Sequence, residues 1–252
     1  MPPFARRWAD FRSALAGAER WLLPGACLLC ESLVHDPDDD PLACATCRAR
    51  WSRLPEPLCD RCGQPRTQGI PCRLCVAWPP GLTGVRSAVW LEDGARRAVH
   101  HLKYEGWRRI AESMADAMAP LLRAMPSPSL VPIPLSAARL KARGYNQSAE
   151  LAAALEHRTG VPVVCHALER RRETGTQTAL TPEARRANLA GAFVARSAPP
   201  NPVLVDDVFT TGSTLAEAAA ALLAAGAPAV RGLTFARAVR PLAEAAQGAR
   251  DI

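Results

Sequence analysis

"VLVDDVFTTGST", residues 203–214, begins as an apolar run suited to a buried strand, carries two adjacent aspartates, and closes on Thr210, Thr211, Gly212, Ser213 and Thr214. Neighbouring carboxylates repel each other and resist desolvation, so folding alone gives no reason to place Asp206 and Asp207 at a strand end. The alanine-rich stretch that follows reads as a helix, with Thr214 and Glu217 at capping-box spacing. A strand end running into a helix N-terminus presents free N–H groups and a positive dipole end, a setting for phosphate. The Thr and Ser hydroxyls add donors, and Gly212 removes a Cβ where a ligand approaches closely. The two carboxylates supply acceptors for a vicinal diol, so a sugar phosphate meets both demands. Capping alone accounts for Thr214 and Glu217 but leaves the acid pair unexplained. Neither G-x-x-x-x-G-K-[ST] nor G-x-G-x-x-G occurs, which removes the usual signatures of a nucleoside triphosphate or dinucleotide site.

Outward from this stretch, apolar segments alternate between strand and helix periodicity. "GVRSAVWLEDG" reads as a strand ending in an Asp-Gly turn, and "ARRAVHHLKY" and "RRIAESMADAMAPLLRAM" as helices. "SLVPIPL" is extended, with Pro132 and Pro134 taking its end out of the ladder. "NQSAELAAALEHRTG" is a helix from an Asn146 cap to a Gly160 stop. "VPVVCHALE" reads as a strand that buries Cys165 in the core, residues 169–193 as a long polar connection, and "AVRGLTFARA" as a last strand. Strands separated by helices predict an α/β domain over residues 79–252, a parallel sheet flanked by helices.

Eight of the nine cysteines form four Cys-x-x-Cys pairs: Cys27/Cys30, Cys44/Cys47, Cys59/Cys62 and Cys72/Cys75. Each pair turns two thiolates toward one metal, and two pairs complete a tetrahedral zinc site. The intervening "ESLVHDPDDDPLA" and "RARWSRLPEPL" are polar and proline-broken, so residues 27–78 need cross-links in place of a large core. Two structural Zn²⁺ ions are predicted; spacing leaves open which pairs share a metal. Disulfides are the rival reading, and a reducing cytoplasm, the location expected for a chain with no secretory signal, disfavours them.

Residues 1–26 place Phe4, Trp8, Phe11 and Leu15 on one stripe of an amphipathic helix, and no run is long enough to span a bilayer. The formal charge is +7, yet residues 27–75 hold six arginines against seven acids before any thiolate is counted. Contacts to nucleic-acid phosphate are therefore expected on arginines outside the cysteine-rich module. In "LKARGYNQ", Lys141, Arg143 and Gly144 form a basic loop suited to pyrophosphate, while Tyr145 is expected to pack. Arg170, Arg171, Arg172, Arg185 and Arg186, with Gln177 and Asn188, lie in the 169–193 connection, long enough to act as a lid over a site or to hold single-stranded DNA. Aromatic stacking partners are missing from most of that segment. His100 and His101, about 100° apart on a helix, are poorly placed to chelate, and Lys103 beside them is a ligand candidate.

Residues 203–214 resemble the signature of type I phosphoribosyltransferases, which bind phosphoribosyl pyrophosphate (PRPP). "LKYEG" (102–106), "VPIPL" (131–135), "ARGYNQSAELA" (142–152) and "ERRRETGTQTALTPEARRANLAGAF" (169–193), with the cysteine-rich start, resemble the ComF/ComFC competence family over nearly the whole chain. The resemblance implies that Asp206 and Asp207 hold the ribose hydroxyls and that residues 210–214 hold the 5-phosphate. It places the pyrophosphate loop at Lys141, Arg143 and Gly144, and Mg²⁺ accompanies PRPP. As pyrophosphate leaves, either aspartate stabilises the cationic ring. Ser213 stands where many members have a second glycine. A role in natural transformation follows from the resemblance: handling incoming single-stranded DNA in the cytoplasm beside a DNA translocase or other competence proteins. Whether the phosphoribosyl group is also transferred stays open, as does the oligomeric state. Two other readings remain: a metabolic phosphoribosyltransferase with a structural zinc ribbon, and a non-enzymatic zinc-ribbon adapter for a translocase.

Overall fold

β-branched and aliphatic runs become the strands of the chain, and the alanine-rich runs become its helices. A computed structural model describes residues 25–238 apart from 35, 37–38, 41, 67–71 and 172–190. The helix expected over residues 1–26 falls outside the described residues, as do Arg172, Gln177, Arg185, Arg186 and Asn188 of the long connection. In chain order the elements are β1 (Gly25–Ala26), β2 (Leu33–Val34), α1 (Ala45–Ala49), β3 (Leu82–Trp90), α2 (Asp93–Tyr104), α3 (Ile110–Arg123) and β4 (Ser129–Pro132). There follow α4 (Ala137–Arg143), α5 (Gln147–Thr159), β5 (Leu168–Arg170), β6 (Phe193–Ala195), β7 (Pro202–Phe209), α6 (Ser213–Ala224) and β8 (Val230–Arg237).

Contacts divide the chain into Met1–Trp51 and Ser52–Ile252. In the smaller unit β1 pairs antiparallel with β2, and α1 carries Cys47. The backbone N–H of Cys44 donates to Cys27 Sγ at 3.3 Å, and Arg48 pairs with Asp39 at 3.0 Å.

The larger unit is built on a four-stranded sheet in the order β3-β8-β7-β4, parallel throughout. Parallel neighbours need crossovers, which the helices provide. α3 and α5 pack on each other and against the sheet, while α6 packs with the β5–β6 hairpin and β8. β7 and β8 occupy the middle and are almost wholly buried, with Val203, Leu204, Val205, Leu233 and Phe235 inaccessible to solvent. β4 is an edge, where its terminal proline costs little; Ile133 just beyond it still donates to the Val205 carbonyl at 3.0 Å.

The second group of cysteines belongs to this unit. The Val85 N–H of β3 donates to the Arg61 carbonyl at 2.7 Å, and Cys59, Cys62, Cys75 and Trp78 pack in one core with Val85, Leu204 and Leu215. Arg61, set between two of the cysteines, donates to the carbonyls of Cys75, Trp78, Pro79 and Leu82. The composition change near residue 79 marks the end of the cysteine-rich sequence, and the packing continues across it.

Several local expectations need correction. "VPVVCHALE" is not a strand: Val163 makes a single parallel bridge to Leu130, and Cys165 lies exposed in a turn. Pro162, with no N–H to donate, and the turn at 165–166 interrupt the ladder. Asp93 and Gly94 form the first turn of α2 instead of a separate turn ending the strand. The ends of the 169–193 connection are paired, because β5 and β6 form an antiparallel ladder and the Arg171 N–H donates to the Ala192 carbonyl at 2.9 Å. α6 starts at Ser213 behind a left-handed Gly212, so Thr214 is inside the first turn and forms no capping box.

Elemental analysis should find two zinc ions per chain. Structural zinc binds with about 10–16 kcal/mol, so Cys72→Ser should lose one zinc and sharply lower the melting temperature of the sheet. Cys27→Ser should also lose one zinc and leave the main calorimetric transition nearly unmoved. Equal effects of the two variants on that transition would contradict this division.

Candidate functional site

Successive residues of a strand point to opposite faces, so the end of β7 sends Asp206 and Asp207 in different directions, where each meets its own partners. Asp207 is 2% exposed. Its Oδ2 is paired with the Lys103 ammonium from the last turn of α2, and its Oδ1 accepts from Gln147 Nε2 at 3.3 Å. Gln147 opens α5, and its own Oε1 accepts from Arg143. Asp206 Oδ1 accepts from the Ser148 hydroxyl at 2.8 Å and from the Asp207 N–H at 2.9 Å.

The two carboxyls titrate apart. Burial, then the charge of Asp207, pushes Asp206 up to about 7, against the pull of Lys103 and Ser148. Burial also acts to raise Asp207, but the charge and hydrogen bond of Lys103 overcome it and hold this carboxyl below the usual range. Lys103 is desolvated too, and Asp207 more than offsets that and raises its pKa. One charged carboxylate, one ammonium and one easily protonated carboxyl thus share the strand end.

Beyond Phe209 the chain turns at Gly212, whose φ is +75°. A Cβ there would overlap the Trp78 indole and come within 2.8 Å of Phe209. The sequence assigned Gly212 to ligand approach; packing from beneath and the left-handed turn already require it. Thr211 and Ser213 share a hydroxyl contact of 2.8 Å, and the Ser213 N–H donates to Thr211 Oγ1 at 3.4 Å. Thr210 is exposed. α6 therefore begins six residues after Asp207, with Thr211 and Ser213 hydrogen-bonded to each other at its N-terminus.

The cysteines form two groups, Cys27–Cys30–Cys44–Cys47 and Cys59–Cys62–Cys72–Cys75, each with all four sulfurs within 4.8 Å of one another. A zinc tetrahedron with ~2.3 Å Zn–S bonds has edges of about 3.8 Å. The observed edges include 3.9 Å for Cys27–Cys47, Cys30–Cys44 and Cys59–Cys75, and 3.4 Å for Cys62–Cys72. Burial, then neighbouring cysteines, pushes the Cys47 thiol far up. Burial raises Cys62 in the same way, so a cation is what lets these sulfurs ionise together. Both sites fit structural zinc, and the metal is shared between consecutive pairs. Arg237, fully buried, donates to the Cys62 carbonyl and to Gln64 Oε1 at 3.2 Å, with no carboxylate partner among the described residues. Burial lowers its pKa to about 10, and Cys62, Cys72 and Cys59 act to raise it. A tetrathiolate zinc site at this cluster would carry net negative charge beside it.

The double zinc ribbon domain family matches residues 18–76. Over most of the chain, the DNA utilization protein YhgH of Salmonella typhi is 35% identical over 227 residues, covering 83% of this chain and 95% of that protein. The chain belongs to the ComF/ComFC family. Another member, competence protein ComFC of Bacillus subtilis, is 28% identical over 79% of this chain and 89% of its own length. Competence protein F of Haemophilus influenzae is 39% identical over a shorter span of 94 residues, 35% of this chain and 41% of its own.

Within this ComF-family chain the expected site residues are only partly brought together. Asp206 and Asp207 lie near the end of β7 with residues 210–214 following after two more residues, and Arg143 reaches Asp207 through Gln147. Lys141, Arg143 and Gly144 are not a loop: the first two lie in the last turn of α4, and Gly144, with φ +81°, ends it. Basic residues at a helix C-terminus complement its dipole, which is why the stretch stays helical to the glycine. Asn146 caps α5 as expected, and Tyr145 packs with its hydroxyl on the Leu102 carbonyl. His100 and His101 are both taken up by Glu105, at 2.9 and 2.8 Å. Gln147, Ser148 and the grip of Lys103 on Asp207 were missed, as no local pattern announces them.

The two aspartates are not interchangeable for the empty fold, because among the described residues Lys103 depends on Asp207 alone for its ion pair. Asp207→Asn strands a buried ammonium and should destabilise by up to about 3–5 kcal/mol. Asp206→Asn keeps an acceptor for Ser148 and removes repulsion, so its stability at pH 7 should match or exceed wild type. The raised pKa of Asp206 means that the folded state holds an extra proton. That contribution is complete below about pH 4, near the unfolded value, and is lost as pH rises to about 7. Asp207 acts oppositely, its contribution being lost as pH falls below about 4. Denaturant titrations from pH 4 to 8 should show Asp206→Asn gaining on wild type as pH rises; a constant difference would refute the assignment.

Proposed function

We propose that this ComF-family protein binds PRPP at the end of β7 and serves natural competence, handling imported single-stranded DNA. The observation that carries the reading is the acid pair at the carboxyl end of a central parallel strand, followed within a few residues by the left-handed turn that opens α6. Ligands of open parallel sheets sit in this position, and helix N-termini suit phosphate. Asp206 and Asp207 take the ribose hydroxyls, Thr210–Thr214 the 5-phosphate, and Arg143, Lys141 and Gly144 the pyrophosphate side. Lys103 fixes Asp207 before ligand arrives, and Gln147 and Ser148 orient the two carboxyls, so little reorganisation remains on binding. Bound with PRPP, Mg²⁺ would neutralise the pyrophosphate. The competence role is supported by the names of the relatives, and the location this implies is the cytoplasm; among the described residues no helix is long and apolar enough to cross a membrane.

The DNA reading is favoured by the junction of α2 and α3. Tyr104 is 69% exposed and Trp107 45% exposed. Arg108 and Arg109 follow in exposed positions, and the Arg143 guanidinium lies 5.4 Å from the Tyr104 ring centroid. Exposed rings interleaved with cations make a stacking platform for unpaired bases.

Calorimetry with Mg²⁺–PRPP tests the first reading. A hydrogen bond to a carboxylate is worth about 1.5–3 kcal/mol, so Asp206→Asn should weaken binding roughly tenfold or more while remaining folded. Unaltered affinity removes the ribose assignment, and pyrophosphate release in an acceptor screen separates transfer from binding. For DNA, Trp107→Ala should weaken single-strand affinity by about 1–3 kcal/mol without changing the salt slope. Arg108→Gln with Arg109→Gln should flatten the slope, by about 0.7 for each phosphate no longer neutralised. Full-strength binding by both the Trp107→Ala and the double-arginine variant places the DNA elsewhere.

A further inference from the structure

The second cysteine group and the 210–214 loop meet through a buried strut. Arg237, at the end of β8, stacks on the Phe209 ring with its guanidinium carbon 3.9 Å from the centroid, and the same guanidinium donates to the Cys62 carbonyl. Trp78, three residues past Cys75, meets Phe209 edge-to-face with centroids 5.9 Å apart. The indole of Trp78 and the ring of Phe209 occupy the space that a Cβ on Gly212 would fill, so the left-handed turn rests directly on them. The Ala238 N–H donates to the Phe209 carbonyl at 2.8 Å, closing the end of β7 against β8. Arg61 holds the Cys75 and Trp78 carbonyls together, which fixes the indole relative to the cysteines.

We propose that the metal-loaded Cys59–Cys62–Cys72–Cys75 cluster braces the 210–214 loop through Trp78 and Arg237, so that zinc there sets the loop's shape and its affinity for phosphorylated ribose. The second part rests on residues 210–214 binding a sugar phosphate; the first does not. A cluster of four thiolates and one Zn²⁺ carries two net negative charges, and these compensate a buried guanidinium whose hydrogen-bond partners among the described residues are the Cys62 carbonyl and the Gln64 amide oxygen. Loss of the metal leaves that guanidinium uncompensated, and it would leave the face of Phe209 for water, taking away the support under Gly212. Trp78 and Arg237 are positioning residues and need not touch the ligand.

The test uses the full chain. Backbone hydrogen exchange is read at residues 210–216 and, for comparison, at β4 on the far edge of the sheet. Affinity for ribose 5-phosphate and zinc content are measured alongside. Arg237→Met and Trp78→Ala should keep two zinc ions and raise exchange at 210–216 by about tenfold or more relative to β4. Trp78→Phe, which keeps a ring against Phe209, should restore much of the protection. Cys72→Ser should reproduce the loop effect, and Cys27→Ser should not. Ribose 5-phosphate affinity should fall about tenfold in parallel with loop exchange. Unchanged exchange at 210–216 in folded Arg237→Met and Trp78→Ala, or an equal rise in β4, overturns the brace. Should wild type bind no ribose 5-phosphate, the phosphate assignment of the loop falls, and exchange still decides the brace.

Discussion

A buried carboxylate needs a cation, and Lys103 is the one that Asp207 receives. The pair ties the last turn of α2 to the end of β7, across the side chain that also takes a hydrogen bond from the first residue of α5. With that charge settled, Asp206 can sit beside Asp207 at the cost of a raised pKa instead of an unfolded strand end. Lys103 therefore makes an arrangement of adjacent acids compatible with a core. It also leaves one carboxyl that gains or loses its proton near neutrality, beside one whose charge is fixed.

The metal centres divide in the same unequal way. One group of four cysteines organises a short segment with its own β-ribbon and helical turn. The other is continuous with the sheet: three of its cysteines are core residues, and a backbone hydrogen bond joins it to β3. Spacing in the sequence is alike for both groups, and only packing distinguishes them. A cysteine-rich region read as one accessory module thus contains a piece of the principal core.

What was legible follows from the range of the interactions. The strands and helices were readable because their causes are local: β-branched runs, alanine-rich runs, the Asn146 cap and the Gly160 stop. The zinc ligands were readable because Cys-x-x-Cys encodes half a coordination shell within four residues. The capping box at Thr214 failed because a left-handed glycine takes the cap position and moves the helix start two residues earlier. The basic stretch before Gly144 looked like a loop because Lys, Arg and Gly are common there, yet they equally suit the last turn of a helix. Gln147 and Ser148 resembled ordinary first-turn residues, and the partners of Asp207 and Gly212 lie far away in the chain. The structural reason for Gly212, an indole contributed from the zinc-binding stretch, had no local trace.

Cys165 has a practical consequence. Eight cysteines are committed to metal, and the ninth is exposed in a turn a few residues before β5. With zinc bound, a mild thiol reagent should modify this position alone. A fluorophore placed there would label the turn before β5 at a single site without cysteine-free engineering, which the two metal centres would not tolerate.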